Sequence, residues 1–218
     1  MIYTWLSNNY LEVFGAIAGI IYVFLEIRQN LWLWPVGIVT SAVYISVFFT
    51  GKLYADMSLQ GYYLIISVLG WYWWARNKRR KVDGEWLKDD GERGRICEGE
   101  RRNNENSYLK VTRLKWGTGI ILFIVFVLLY LIMWFVLSRY TNSPVPGWDS
   151  FITSASIIAT WMLARKIYEH WILWIIVNFL AAVLFLTRGL YPTVILYVVY
   201  GIMSFAGLTA WKKTISNE

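Results

Sequence analysis

The sequence predicts an all-α integral membrane protein: seven transmembrane helices, built as two parallel three-helix repeats with one helix linking them. Three observations lead there. Of 218 residues, 57% are hydrophobic and only 16% charged, whereas a soluble domain carries about 25% charged residues. The apolar residues fall into seven long runs, each near the roughly 20 residues that cross a bilayer. The chain also matches itself, without a gap, at an offset of 137 residues.

The runs cover 10–27, 33–50, 57–74, 116–138, 148–164, 171–187 and 192–211. Lipid gives backbone groups no hydrogen-bond partner, so a spanning segment is a helix or a strand of a closed barrel. Runs this long and this continuously apolar are helices. The nine residues before the first run, MIYTWLSNN, lack the basic start of a signal peptide, so the first helix is expected to stay as an anchor. Short polar turns follow the second run (TGK, 50–52) and the sixth (TRG, 187–189). Segment 76–115 mixes thirteen basic with eight acidic residues and has few apolar anchors, which predicts a mostly disordered linker. Its Cys97 has no second cysteine to pair with and is expected to be a bystander. The expected organisation is a first bundle over 1–75, a charged cytoplasmic loop over 76–115, a linker helix over 116–138 and a second bundle over 139–218.

Charge fixes the expected orientation. With the N-terminus outside, the outer face carries only Lys52, Arg139 and Arg188. The inner face then carries Arg28, Arg165, Lys166, Lys212, Lys213 and the thirteen basic residues of the loop. Positive charge favours the cytoplasmic side, so the C-terminus is expected inside. The net charge of +7 is read as a topology signal, and RNKRRK (76–81) as part of it; no nucleic-acid partner is expected.

In the repeat, Arg28 falls on Arg165, Trp34 on Trp171, Thr50 on Thr187, Leu53 and Tyr54 on Leu190 and Tyr191, Tyr63 on Tyr200, Gly70 on Gly207 and Trp74 on Trp211. Apolar helices match partly by composition, but this register of charged, aromatic and glycine positions does not follow from composition alone. Three helices plus one linking helix bring the second repeat in with the orientation of the first. That is the parallel, SWEET-like arrangement of triple-helix bundles, in which a substrate binds near the midplane between halves that rock.

Candidate binding residues lie on helical stripes spaced i, i+3, i+7, which share a face. Trp171, Trp174 and Asn178 form one; Trp34, Gly37 and Ser41 are its repeat partner. Asn178 lies about 10 Å beyond Trp171 along the axis, near the middle of its span. Gly37 in place of a second indole is expected to leave room for an asymmetric ligand. The third helix carries Gln60, Tyr63 and Ser67, and the seventh Tyr197, Tyr200 and Ser204; Tyr22 and Glu26 lie on the first, and Thr153, Ser156 and Thr160 on the fifth. Asn178 has a plainer reading as glue between helices, the serines and threonines as groups bonded to their own i−4 carbonyls, and Trp116, Trp148 and Trp211 as an interfacial belt. Polar residues within spans nevertheless tend to face the interior and mark pathways.

These groups are indole and phenol faces, amides and hydroxyls. Without Lys, Arg or His at a span centre, the site suits a neutral or cationic ring bearing hydroxyls, since a phosphorylated ligand would want an arginine clamp. The lone His170 falls at a boundary, and no metal cluster, phosphate loop or coupling-ion site is legible. No cofactor is expected, and transport should be equilibrative. A receptor or intramembrane enzyme is the other class, but an enzyme needs an acid–base pair or nucleophile in reach, and none is visible.

WLWPVGIVTSAVYISVFFTGKLYADMSLQGYYLIISVLGWYWW (32–74) and WDSFITSASIIATWMLARKIYEHWILWIIVN (148–178) resemble the two halves of the PnuC family of vitamin transporters. The most specific pieces are LYAD-x-x-LQ-x-x-Y at 53–63 and W-x-x-W-x-x-x-N at 171–178. The resemblance implies inward transport of nicotinamide riboside, an NAD precursor, by facilitated diffusion across the bacterial inner membrane. It further implies trapping by a cytoplasmic kinase, a homotrimer, and substrate contact at Trp171 and Asn178. Members of the family also carry thiamine, riboflavin or deoxynucleosides, and these motifs do not separate nicotinamide riboside from thiamine. The charged insert 76–115 departs from the family pattern.

Overall fold

In a computed structural model the chain is all-helical. The structure describes residues 10–50, 54–86, 110–140, 145–187, 189 and 191–216. Seven α-helices lie among them: α1 Tyr10–Ile27, α2 Leu33–Thr50, α3 Tyr54–Trp86, α4 Trp116–Tyr140, α5 Pro146–Ala164, α6 His170–Thr187 and α7 Tyr191–Ser216. Among the described residues three stretches suffice by length and composition to cross a membrane, Trp116–Tyr140, His170–Thr187 and Thr193–Ser216; Phe14–Ile27 and Leu33–Ser46 are shorter apolar stretches.

The largest difference from expectation is α3. It runs 33 residues to Trp86, so the segment expected to open a disordered loop at Arg76 continues as helix. RNKRRK is rich in straight-chain residues that lose little freedom in a helix, and a helix already nucleated upstream extends at low cost. The far end of that loop is also ordered. Val111 is buried in the apolar core. Thr112 N–H donates to the Lys166 carbonyl at 3.0 Å, and the Thr112 carbonyl accepts from Tyr168 N–H at 2.9 Å. Leu114 N–H donates to Glu169 Oε2 at 2.7 Å. This short strap is held by backbone pairing, which leaves no trace in hydropathy. The rest of the expected loop, residues 87–109 with Cys97, lies outside the described residues.

Six helices close a ring: α1 packs on α2 and α7, α3 on α2 and α5, and α6 on α5 and α7. The linker helix α4 stands outside, against α5, with none of its residues buried. Small residues let the ring close tightly, as lipid-embedded helices require. The hydroxyl of Tyr44 occupies the space beside Gly15, and that of Tyr200 the space beside Gly19.

α1 and α5 end alike. Asn30 N–H donates to the Leu25 carbonyl and Gln29 N–H to the Glu26 carbonyl; Ile167 N–H donates to the Met162 carbonyl and Lys166 N–H to the Leu163 carbonyl. These are Schellman closures, which need a left-handed residue, usually glycine. Here Gln29 (φ 51°) and Lys166 (φ 53°) take it. Their side chains meet, Lys166 Nζ donating to Gln29 Oε1 at 3.2 Å across 137 residues of sequence.

Candidate functional site

At the Gln29–Lys166 end the ring is sealed by tryptophans. Trp34 lies on Gly70 and Trp171 on Gly207, each indole so close that a Cβ on the glycine would overlap it. Trp34 meets Trp74 edge-on at 5.4 Å, and Trp171 meets Trp211 edge-on at 5.8 Å; such pairs add about 0.5–1.5 kcal/mol beyond burial. The outer indoles reach across the ring. Trp74 Nε1 donates to the Ala164 carbonyl and Trp211 Nε1 to the Glu26 carbonyl, both at 3.2 Å. Trp211, expected as an interfacial belt residue, is instead fully buried, whereas Trp116 and Trp148 are exposed.

The same end holds a pair that the sequence reading missed. His170 Nδ1 donates to the Ile167 carbonyl at 2.6 Å, and His170 Nε2 lies 3.1 Å from Glu26 Oε1. Both side chains are almost wholly buried, with Trp171 and Trp211 packed on the imidazole at 4.7 Å each. His170 therefore ties α6 to α1, 144 residues away in sequence. The sequence placed Glu26 with Tyr22 among the cavity groups of the first helix and His170 at a span boundary; their proximity depends on ring closure and has no local signal.

Deeper in the ring lies a polar layer. Asn178 Nδ2 donates to Ser204 Oγ at 3.2 Å, and Ser204 Oγ donates to the Tyr200 carbonyl at 2.8 Å. Both are buried, as are their offset partners Ser41 and Ser67. Tyr62 donates to the Ile157 carbonyl at 2.8 Å, and Tyr63 lies beside the Ser156 side chain, so α3 grips α5 at mid-depth. Tyr200 on Gly19 does the same for α7 and α1. Tyr197 packs against Tyr200 at 6.0 Å and stacks on Phe185 at 5.3 Å. Gln60 is half-buried on α3, as is Trp174 on α6.

Two details alter the expected cavity. The room beside Gly37 is filled: a Cβ there would stand 2.9 Å from Ser67 Oγ and 3.2 Å from the Tyr22 ring. Trp171 is enclosed by Gly207, Trp211 and His170, so its face is closed off in this structure. The buried indole N–H groups of Trp34, Trp171 and Trp174 have no hydrogen-bond partner among the described residues. Ser156 and Thr160 bond their own i−4 carbonyls, Ile152 and Ser156, at 2.8 Å each.

Comparison with known proteins places the chain. The family described as nicotinamide mononucleotide transporter matches residues 9–213. Nicotinamide riboside transporter PnuC of Escherichia coli (strain K12) is 24% identical over 216 residues, which cover 93% of this chain and 85% of that protein. Riboflavin/roseoflavin transporter RibM of Streptomyces davaonensis is 25% identical over 208 residues, covering 92% and 83%. The crystal structure of the vitamin B3 transporter PnuC superposes with a TM-score of 0.69 at 21% identity, covering 99% of this chain and 86% of that one.

Proposed function

The chain belongs to the nicotinamide mononucleotide transporter (PnuC) family of multi-pass membrane proteins, and we propose from this that it carries nicotinamide riboside inward through a site inside its six-helix ring. The observation that carries the proposal is the buried Asn178–Ser204 pair at mid-depth. It sits near phenols and a half-buried Trp174 whose indole N–H is unpartnered among the described residues. Asn178 is assigned to the ribose or carboxamide end of the ligand, Trp174 to its ring, and Gln60, Tyr63, Tyr197 and Tyr200 to the walls. A cationic ring on an indole face gains about 0.5–2 kcal/mol. Trp171, Trp34 and Ser41 join when the tryptophan layer opens.

The ring is read as two parallel three-helix repeats about an axis along the membrane normal. Exchange of α1, α2 and α3 for α5, α6 and α7 turns each ring contact into another ring contact. Gln29 and Lys166, equivalent under the exchange, touch each other, as residues beside such an axis do. The Gln29–Lys166 end is assigned to the cytoplasm and both faces to a bacterial inner membrane. Facilitated diffusion, trapping by a cytoplasmic kinase and a homotrimer complete the reading.

Riboflavin is the second reading, because a riboflavin transporter is as similar in sequence as the nicotinamide riboside transporter. Binding of labelled nicotinamide riboside to purified protein, with thiamine, riboflavin, a deoxynucleoside and nicotinamide mononucleotide as competitors, tests both. Nicotinamide riboside should compete best and the mononucleotide poorly, since no guanidinium is assigned to hold its phosphate. Stronger competition by riboflavin would transfer the assignment.

A further inference from the structure

Outside the ring, α4, α5 and α6 enclose a groove of about 430 Å³, lined by Leu114, Gly119, Phe126, Ala155, Ile172 and Ile176 among other apolar side chains. Ile172 and Ile176 are 45% and 41% exposed, so the groove is open along its length. It lies on the lipid side of α5 and α6, away from Asn178. Its mouth is built differently. Leu114 ends the groove and belongs to the strap bonded to residues 166–169. On that strap Lys110, Arg113 and Lys115 are all exposed. The acidic group at the mouth, Glu169, already accepts the Leu114 N–H at 2.7 Å. Among the described residues three cations thus stand against one engaged carboxylate where a membrane helix begins, and Trp116 beside them is 87% exposed, suited to the headgroup level.

We propose that this groove holds one anionic phospholipid, an acyl chain lying along α4 and α5 and the phosphate at Arg113 and Lys115. An apolar furrow alone accepts any lipid tail or an apolar helix. The basic rim selects the headgroup, since basic clusters beside transmembrane helices attract anionic lipids. Lipid bound here bridges the linker helix and the strap. The strap in turn pairs with the turn that holds Lys166 and Ile167, next to the Glu26–His170 pair. The site is independent of which substrate the ring carries.

Native mass spectrometry of the detergent-purified protein with phosphatidylglycerol or phosphatidylcholine tests this. One phosphatidylglycerol should be retained per chain, in preference to phosphatidylcholine. R113Q/K115Q should lose roughly 25-fold of that preference, at about one factor of five per basic residue, while R139Q at the far end of α4 keeps it. G119L should lower retention of both lipids: a Cβ at Gly119 makes only ordinary contact with Leu114, at 3.5 Å, so the longer side chain projects into the groove without moving backbone. Equal retention of the two lipids, or equal loss in R139Q and R113Q/K115Q, would overturn the proposal. So would a G119L protein that keeps its lipid but loses its oligomer, which would give the groove to a second copy.

Discussion

Asn178 is the residue on which the binding proposal turns, and its surroundings set what substitution should do. Asn178→Leu keeps the volume and removes the amide. Ser204 loses one donor but keeps its own bond to the Tyr200 carbonyl, so stability should fall by no more than about 1 kcal/mol. A ligand group left unpaired in a buried site costs about 1–3 kcal/mol, or roughly tenfold to a hundredfold in affinity. Melting temperature and affinity on the same preparation separate the roles: a large stability loss with normal affinity would make Asn178 packing glue. The glycines give a second prediction. Gly70→Ala and Gly207→Ala force a methyl into Trp34 and Trp171 and should each cost about 1–3 kcal/mol by overpacking. Gly117→Ala, with nothing within 4 Å, should be neutral or slightly stabilising; thermal unfolding of the three variants checks this. The stripe Trp171, Trp174, Asn178 was legible because helical spacing is local. That Trp171 lies on Gly207, and that Ser67 fills the gap at Gly37, was not, because both depend on the neighbouring helix.

Helix boundaries followed closely from hydropathy where lipid contact dictates composition, as in α1 and α2. They failed where it does not: α3 passes its apolar run by propensity, and the strap at 110–114 is ordered by backbone pairing. The Schellman ends of α1 and α5 were hidden for another reason. Glycine is the usual signal for a left-handed cap, and Gln29 and Lys166 stand in its place. Between these elements the Glu26–His170 pair gives a sharp test. Glu26→Ala leaves His170 buried without its partner and should cost about 3–5 kcal/mol, as removal of one member of a buried pair does. Glu26→Gln keeps a polar group within reach of His170 Nε2 and should cost far less. Equal melting temperatures for the two variants would show that the contact does not hold α1 to α6.

For the whole molecule, the offset of 137 residues is the sequence feature on which the proposed repeat rests, and exchanging the helices at that offset turns each ring contact into another. What one sequence could not show is which end is closed, because closure rests on contacts such as Trp211 to Glu26 that span 185 residues. With Gln29, Lys166, Glu26, His170 and four tryptophans locking one end, the proposed alternating access would require that layer to part while the mid-depth tyrosine contacts rock. The substrate alone is proposed to shift that equilibrium, since only its differential affinity for the two states can do so. Uptake of labelled nicotinamide riboside into proteoliposomes, with no ion gradient, nucleotide or kinase, measures this directly. Internal substrate should rise until it equals the external concentration and stop there, and Asn178→Leu should slow the approach without changing the plateau. Absence of uptake, or accumulation above the external concentration when a proton or sodium gradient is imposed, would contradict the account.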